Sequence, residues 1–106
     1  MPQHLSHDVY FTLPDNTAAA GAKLVADCKK YLGGHPGEAF FACGTRAEDF
    51  RRDVNDQKFD VALHIIFEDQ AAHDAYQAAA RHDQFIAENK ANWKQVRVFD
   101  SLVEVG

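Results

Sequence analysis

Residues 58–68 alternate between apolar and mostly small or polar side chains, and this pattern constrains the fold more than any other feature. Successive side chains of a β-strand point to opposite faces, so the alternation predicts a strand with one face against a hydrophobic core. The apolar set is Phe59, Val61, Leu63, Ile65 and Phe67. The opposite set is Asp60, Ala62, His64 and Ile66.

Residues 4–13 show the same alternation, and they are predicted to form the first strand. One face of this strand carries Leu5, His7, Val9, Phe11 and Leu13. Two further strands are predicted at residues 38–44 and 95–103. Residues 45–57 are polar and have no clear period, so they are predicted to form an exposed connection.

The first helix is predicted to follow Pro14-Asp15-Asn16-Thr17, which ends the strand and offers side-chain oxygens as helix caps. Its apolar stripe recurs at three- and four-residue steps and consists of Leu24, Val25, Cys28, Tyr31 and Leu32. Gly33-Gly34 is expected to end the helix, because glycine adopts the left-handed conformation of a helix C-terminus without strain.

A second helix is predicted after Asp69, whose carboxylate can cap it. Its apolar face carries Ala72, Ala75, Tyr76 and Ala79. The stripe continues through Phe85, Ile86 and Trp93 after a break that we expect near His82.

The resulting order is β-α-β-β-α-β, which predicts an α+β, ferredoxin-like fold with both helices on one face of a four-stranded antiparallel sheet. The opposite face would expose an apolar patch, and such a patch on a small domain usually marks an interface. The residues expected there are Tyr10, His64, Ile66, one of Phe40 or Phe41, and part of the set Val96, Val98 and Phe99. We therefore expect a homodimer in which two sheets pack face to face.

Length and charge exclude several classes of protein. The 106 residues are enough for one domain, which we expect to span residues 1–106. Eleven basic residues against sixteen acidic ones give a net charge of -5, so no nucleic-acid partner is expected. No long apolar segment predicts a membrane span, and residues 1–7 lack the features of a signal peptide, so a cytoplasmic location is expected. Cys28 and Cys43 are expected to be reduced, buried thiols.

Several short motifs occur in the order and spacing of a known family. They are His7-Asp8-Val9-Tyr10-Phe11-Thr12-Leu13, Phe59-Asp60, Phe67-Glu68-Asp69, Tyr76, His82, Phe85 and Val98-Phe99-Asp100. Over residues 6–101 the chain resembles the stress-responsive dimeric α/β-barrel (Dabb) family. The resemblance implies a homodimeric barrel built from two ferredoxin-like subunits.

The resemblance also implies candidate site residues. A plant polyketide cyclase with this fold closes a ring by metal-free aldol chemistry, with a tyrosine and a histidine as its acid and base. Tyr76 and His82 occupy the matching positions, and His7 matches a histidine that lines the pocket from the first strand. The chain departs from the pattern at Val61, where a histidine is common, and at Ala79-Ala80, where His-Pro is usual.

Each of these three residues also has a purely structural interpretation. His7 could be a core histidine that bonds to backbone, Tyr76 a core aromatic residue, and His82 a helix C-terminal cap. Six residues separate Tyr76 from His82, which is not a same-face helical spacing unless the helix breaks between them. As acid and base, the two side chains would act on a carbonyl compound.

The pocket is expected between sheet and helices, and it would bind a small apolar or aromatic molecule. Its predicted walls are Val9, Leu24, Cys28, Val61, Leu63, Phe85, Ile86 and Trp93. No metal-ligand spacing and no nucleotide motif occurs in the sequence, so neither a metal site nor a cofactor is expected. Two alternatives stay open, namely a non-catalytic, stress-linked dimer and a cofactor-free monooxygenase-like enzyme of the same superfold.

Overall fold

The computed structural model describes residues 3–106, and it shows the predicted order of strands and helices. Residues 1 and 2 belong to the segment in which no signal peptide is predicted, and they lie outside the described residues. The elements are β1 (His4–Thr12), α1 (Ala18–Leu32), β2 (Glu38–Thr45), β3 (Val61–Phe67), α2 (Gln70–Ala78), α3 (Ala80–Asn89), a 3₁₀ turn (Lys90–Asn92) and β4 (Gln95–Val103).

The four strands form one antiparallel sheet in the order β2-β3-β1-β4. The alternation of the two central strands is confirmed, since every second side chain of β1 and β3 is buried. Val9 lies opposite Leu63 on β3 and opposite Val98 on β4, so these three positions share the helix-facing side of the sheet. The ferredoxin-like fold is thereby confirmed.

The helices pack on that face and close the hydrophobic core. Thr17 caps α1 by accepting a hydrogen bond of 3.2 Å from the Ala20 N–H, and Asp69 caps α2 by accepting one of 2.8 Å from the Ala72 N–H. Both caps lie where the sequence predicts them. The side chains that the helices contribute to the core are Leu24, Cys28, Tyr31, Leu32, Tyr76 and Phe85.

Two local predictions are wrong, namely the start of the third strand and the position of the break between the helices. Strand β3 begins at Val61, because Asp60 bonds to the C-terminal end of β1. The Asp60 N–H donates to the Phe11 carbonyl, and its carboxylate accepts from the Leu13 N–H. The alternation therefore does not extend to Phe59, whose ring packs 5.0 Å from that of Tyr10 on the open face. The end of α1 is confirmed: the helix stops at Leu32, Gly33 has a φ of −86°, and Gly34 is left-handed at +79°. The break between helices falls at Ala79.

The open face of the sheet carries the expected side chains. Phe40 lies opposite Ile66, whereas Phe41 packs against the core on the helix side. His64 and Phe99 both lie opposite Asp8, and each ring is within 6 Å of the Tyr10 ring (5.9 and 5.8 Å). Within residues 3–106, no helix combines the length and the apolar character needed to cross a membrane.

Candidate functional site

His7 is held at the centre of the sheet by a carboxylate. It is 5% exposed, and its Nδ1 lies 2.6 Å from an oxygen of Asp100, its directly opposite partner on β4. A carboxylate only accepts hydrogen bonds, so Nδ1 carries the hydrogen and Nε2 is left as an acceptor. The burial of His7 follows the prediction, but its partner is a side chain and not the backbone.

Tyr76 and His82 are brought together by the break between α2 and α3. Ala79 has extended backbone angles (φ −70°, ψ 144°) between the two helices, and the ring centroids of Tyr76 and His82 are 4.8 Å apart. Tyr76 is 2% exposed, whereas His82 is half-buried. His82 lies in the first turn of α3, so its interpretation as a C-terminal cap is wrong.

Two further histidines, His35 and His73, complete the cluster around Tyr76. The His35 ring lies 5.1 Å from the Tyr76 ring, and its Nε2 lies 2.7 Å from the Tyr31 carbonyl. The His73 ring lies 5.1 Å from the His7 ring, which is itself 5.9 Å from Tyr76. Sequence analysis missed both. The available signal for His73 was its position three residues before Tyr76, on the same helical face.

The two central side chains have pKa values displaced in opposite senses. Burial raises the pKa of the Tyr76 phenol, and the nearby Cys28 and Glu38 raise it further. Burial lowers the pKa of the His82 imidazole; Asp83 opposes this change, and the surrounding histidines add to it. At neutral pH the pair is therefore a protonated phenol beside an uncharged imidazole.

Several polar atoms near Tyr76 and His82 have no hydrogen-bond partner among residues 3–106. In the described part of the chain, His82 Nδ1, His73 Nε2 and Glu38 Oε2 are buried without a hydrogen-bond partner. The other oxygen of Glu38 accepts a hydrogen bond of 2.9 Å from the Gly34 N–H, and burial raises the pKa of this carboxyl group. Buried polar atoms usually have partners, so these three atoms are available to bond to water or to a ligand.

The predicted pocket is largely filled by side chains. A cavity of about 310 Å³ lies beside the first half of α1, and only Leu24 and Trp93 of the predicted walls line it. Five of the other predicted residues are buried in the close-packed core and Ile86 packs against it, so they leave no space at these positions; the five are Val9, Cys28, Val61, Leu63 and Phe85. The histidine cluster lies at the other end of α1, where His35 follows the helix.

The cluster also brings together possible metal ligands. One ligand atom from each of His7, His73 and Asp100 lies within 4.8 Å of the other two. These residues come from β1, α2 and β4, which is why no short spacing in the sequence revealed them.

Comparison with known proteins agrees with this architecture. The family model of the stress responsive A/B barrel domain matches residues 5–103. No curated relative matches the chain.

Three solved structures illustrate the similarity. A Dabb family protein with a ferredoxin-like fold from Mesorhizobium loti is 22% identical, with a TM-score of 0.75 over 98% of this chain and 99% of that one. A dimeric ferredoxin-like protein of unknown function from Thermobifida fusca is 14% identical, with a TM-score of 0.79 over 97% and 93%. The hydroxynitrile lyase from Passiflora edulis is 17% identical, with a TM-score of 0.77 over 98% and 96%. At these identities the similarity shows a shared fold.

Proposed function

Because the chain belongs to the stress responsive A/B barrel domain family, whose fold also supports enzymes such as the hydroxynitrile lyase, we propose that it is a small-molecule enzyme. Its reaction is acid–base chemistry on a carbonyl compound. The observation that carries this proposal is the contact between Tyr76 and His82, a protonated phenol and an uncharged imidazole with ring centroids 4.8 Å apart.

The two groups perform complementary steps. The His82 imidazole removes a proton from the carbon next to the carbonyl, and the Tyr76 hydroxyl donates a hydrogen bond to the oxygen on which negative charge develops. Return of the proton from His82 to carbon completes an exchange. Alternatively, that carbon attacks a second carbonyl group, and the proton on His82 passes to the alkoxide oxygen that forms. His82 is half-buried, so the substrate reaches it from the surface.

His7 positions the acid side of this pair. Asp100 fixes its orientation, and its ring lies edge-on to Tyr76 at 5.9 Å. Phe67 packs against both rings, at 6.3 Å from His7 and 5.0 Å from Tyr76. Phe67 is fully buried, so its packing holds the two rings in place.

The proposal is tested by proton exchange at carbon, which needs no knowledge of the natural substrate. The protein is incubated in D₂O with a panel of small aryl and alkyl ketones, and loss of the α-hydrogens is followed by ¹H NMR. A chelator in every sample removes any contribution from metal ions. A hydroxynitrile is tested alongside, since that is the substrate class in the name of the Passiflora edulis protein; its cleavage to a carbonyl compound and cyanide is followed in the same spectra.

We expect Tyr76→Phe and His82→Gln each to slow exchange by about 10²- to 10⁴-fold, the usual contribution of one positioned acid or base. His4→Gln is the matched control, because His4 lies on β1 outside the cluster and its Nδ1 bonds to the Glu68 carbonyl. Equal exchange in all four proteins, or no wild-type exchange above the buffer rate on any compound, would exclude this function.

The functional unit is a homodimer formed through the open face of the sheet. Phe40 and Phe99 are 52% and 51% exposed on that face, and exposed large apolar side chains on one face of a small domain are typical of an interface. Several solved structures with this fold are described as dimeric, including those from Thermobifida fusca, Jannaschia sp. and Bacteroides fragilis. Pairing on this face leaves the Tyr76 cluster, on the other side of the sheet, free to react.

A further inference from the structure

Three side chains beside Tyr76 have the composition of a metal site. His7 on β1 and Asp100 on β4 lie opposite each other in the sheet, and His73 of α2 lies above them with its ring 5.1 Å from that of His7. One ligand atom from each residue is within 4.8 Å of the other two. Ligand atoms about 2.0–2.1 Å from a tetrahedral zinc ion are about 3.3 Å apart, so a contraction of at most about 1.5 Å would close the site.

His73 is already oriented to act as a ligand. Its Nδ1 lies 3.2 Å from an oxygen of Asp74, whereas its Nε2 is buried and has no partner within residues 3–106. A carboxylate that accepts the Nδ1 hydrogen leaves the lone pair on Nε2, and metal-binding histidines are commonly held in this way. An unpartnered buried nitrogen is otherwise costly, so its presence needs an explanation.

The charge and accessibility of the cluster suit a small cation. The Asp100 side chain is 45% exposed and that of His73 is 17% exposed, so an ion has a path from solvent, while His7 closes the inner side at 6%. Two imidazoles with one carboxylate form a donor set that zinc and neighbouring divalent transition metals prefer over magnesium or calcium.

We propose that His7, His73 and Asp100 bind one divalent transition-metal ion of the zinc class per chain. Three protein ligands leave one tetrahedral position open to water or to a small ligand, as in sites that are not purely structural. His73 and Asp100 take no part in the proton transfer between His82 and the substrate. His7 and Asp100 also orient Tyr76, so the two proposals are separated by their measurements: the exchange reaction is followed with a chelator present, and metal binding is followed directly.

The first test is titration of the chelator-treated protein with Co²⁺, which gives visible absorption on binding, followed by displacement with Zn²⁺. We expect saturation at one Co²⁺ per chain. His73→Gln and Asp100→Asn are each expected to weaken binding by at least about tenfold, the smallest effect typical of losing a supporting partner. Circular dichroism confirms that each variant is folded.

His64→Gln is the matched control, because His64 also bonds to a carboxylate, at 2.7 Å from Asp8, but has no second imidazole in that pair. It is expected to leave Co²⁺ affinity unchanged. Side-chain ¹⁵N NMR of the wild-type protein gives an independent result: one equivalent of Zn²⁺ shifts the His7 and His73 resonances and leaves those of His64 in place.

The absence of saturable binding, or equal affinity in His73→Gln and the wild type, would overturn the proposal. So would zinc-induced shifts at His64 without shifts at His73. None of these outcomes affects the exchange experiment on Tyr76 and His82, which is performed with a chelator present.

Discussion

The rings of Tyr76 and His82 lie 4.8 Å apart because the chain leaves the helical path at Ala79 between them. In an uninterrupted helix, residues six positions apart point in different directions. Extended angles at Ala79 turn α3 so that His82, in its first turn, faces the last turn of α2. The junction therefore determines the geometry of the proposed acid–base pair.

Stabilising this junction should stabilise the protein. Ala80 is the first residue of α3 and is exposed, and the ψ of 144° at Ala79 is compatible with a following proline. Because the first helical N–H has no acceptor within the helix, Ala80→Pro is expected to raise the free energy of unfolding by about 0.4–1 kcal/mol. Urea denaturation measures this change.

Ala78→Pro provides the contrast two residues earlier. Proline at the end of α2 removes a helical hydrogen bond and clashes with the preceding turn, at a cost of roughly 3 kcal/mol. If Ala80→Pro were as destabilising as Ala78→Pro, the helix break would not lie at Ala79.

Two glycine variants test the close packing of α2 against the residue before β2, through their effect on the free energy of unfolding. Gly37 has a φ of +84°, and a Cβ there would lie 2.4 Å from the Ala72 Cβ. Gly34 has a similar φ of +79° but nothing within 4 Å of the corresponding position. Gly34→Ala is expected to cost about 1–2 kcal/mol from backbone strain alone. Gly37→Ala should cost about 1–3 kcal/mol more, because α2 has to move.

Equal urea midpoints for the two variants would contradict this contact. A displaced α2 would also carry Tyr76 and His73 away from His7, so Gly37→Ala should lose more activity than Gly34→Ala. The two measurements together separate strain in the loop from displacement of the site.

The lowered pKa of His82 predicts how stability depends on pH. In the unfolded chain a histidine has a pKa near 6.5, so between that value and the lower folded pKa the unfolded state binds more protons. Stability contributed by the uncharged ring is therefore present above about pH 6.5 and is lost as the pH falls through the folded pKa. Urea midpoints of wild type and His82→Gln from pH 8 to 5 measure this contribution.

The difference between the two proteins should change in that window, with the wild type losing stability relative to His82→Gln as the pH falls. The other histidines are present in both proteins, so their contribution to the pH dependence of stability largely cancels in the difference. Parallel profiles over the whole range would show that burial does not disfavour the charged form of His82.

The proposed dimer predicts a specific effect of charge on the open sheet face. Phe40→Asp places a carboxylate in the apolar patch, and we expect the native mass to fall from twice 11.8 kDa to a single chain. Val54→Asp is the control, because Val54 is 84% exposed in the connection between β2 and β3. A dimer that persists in Phe40→Asp, or a wild-type monomer at low micromolar concentration, would contradict pairing through this face.

Much of the fold could be predicted because it follows from local pattern. The alternation of β1 and β3, and the capping residues Thr17 and Asp69, are properties of short segments and appear where the sequence places them. Errors arose where contacts distant in sequence override the pattern. Phe59 is the clearest example, since the bonds of Asp60 to β1 end the alternation one residue later.

The site was only partly predictable for the same reason. His7, Tyr76 and His82 were identified through the family resemblance. His35 and the contact of Asp100 with His7 depend on the packing of separate elements, and His73 was missed although it shares a helix with Tyr76. Too many residues were assigned to the pocket walls, because an apolar residue in a periodic pattern looks the same in sequence whether it fills a core or lines a cavity. Cys28 and Val61, both fully buried, show this ambiguity.

The most direct test of the central claim is the pH dependence of the exchange rate in the wild-type protein, measured on one responsive ketone with a chelator present. If His82 is the base and Tyr76 the acid, the rate rises through a midpoint below about 6.5 and then stays level to pH 9, since the phenol remains protonated. A rate that continues to climb through pH 9 would contradict the account, because hydroxide or a phenolate would then be the base.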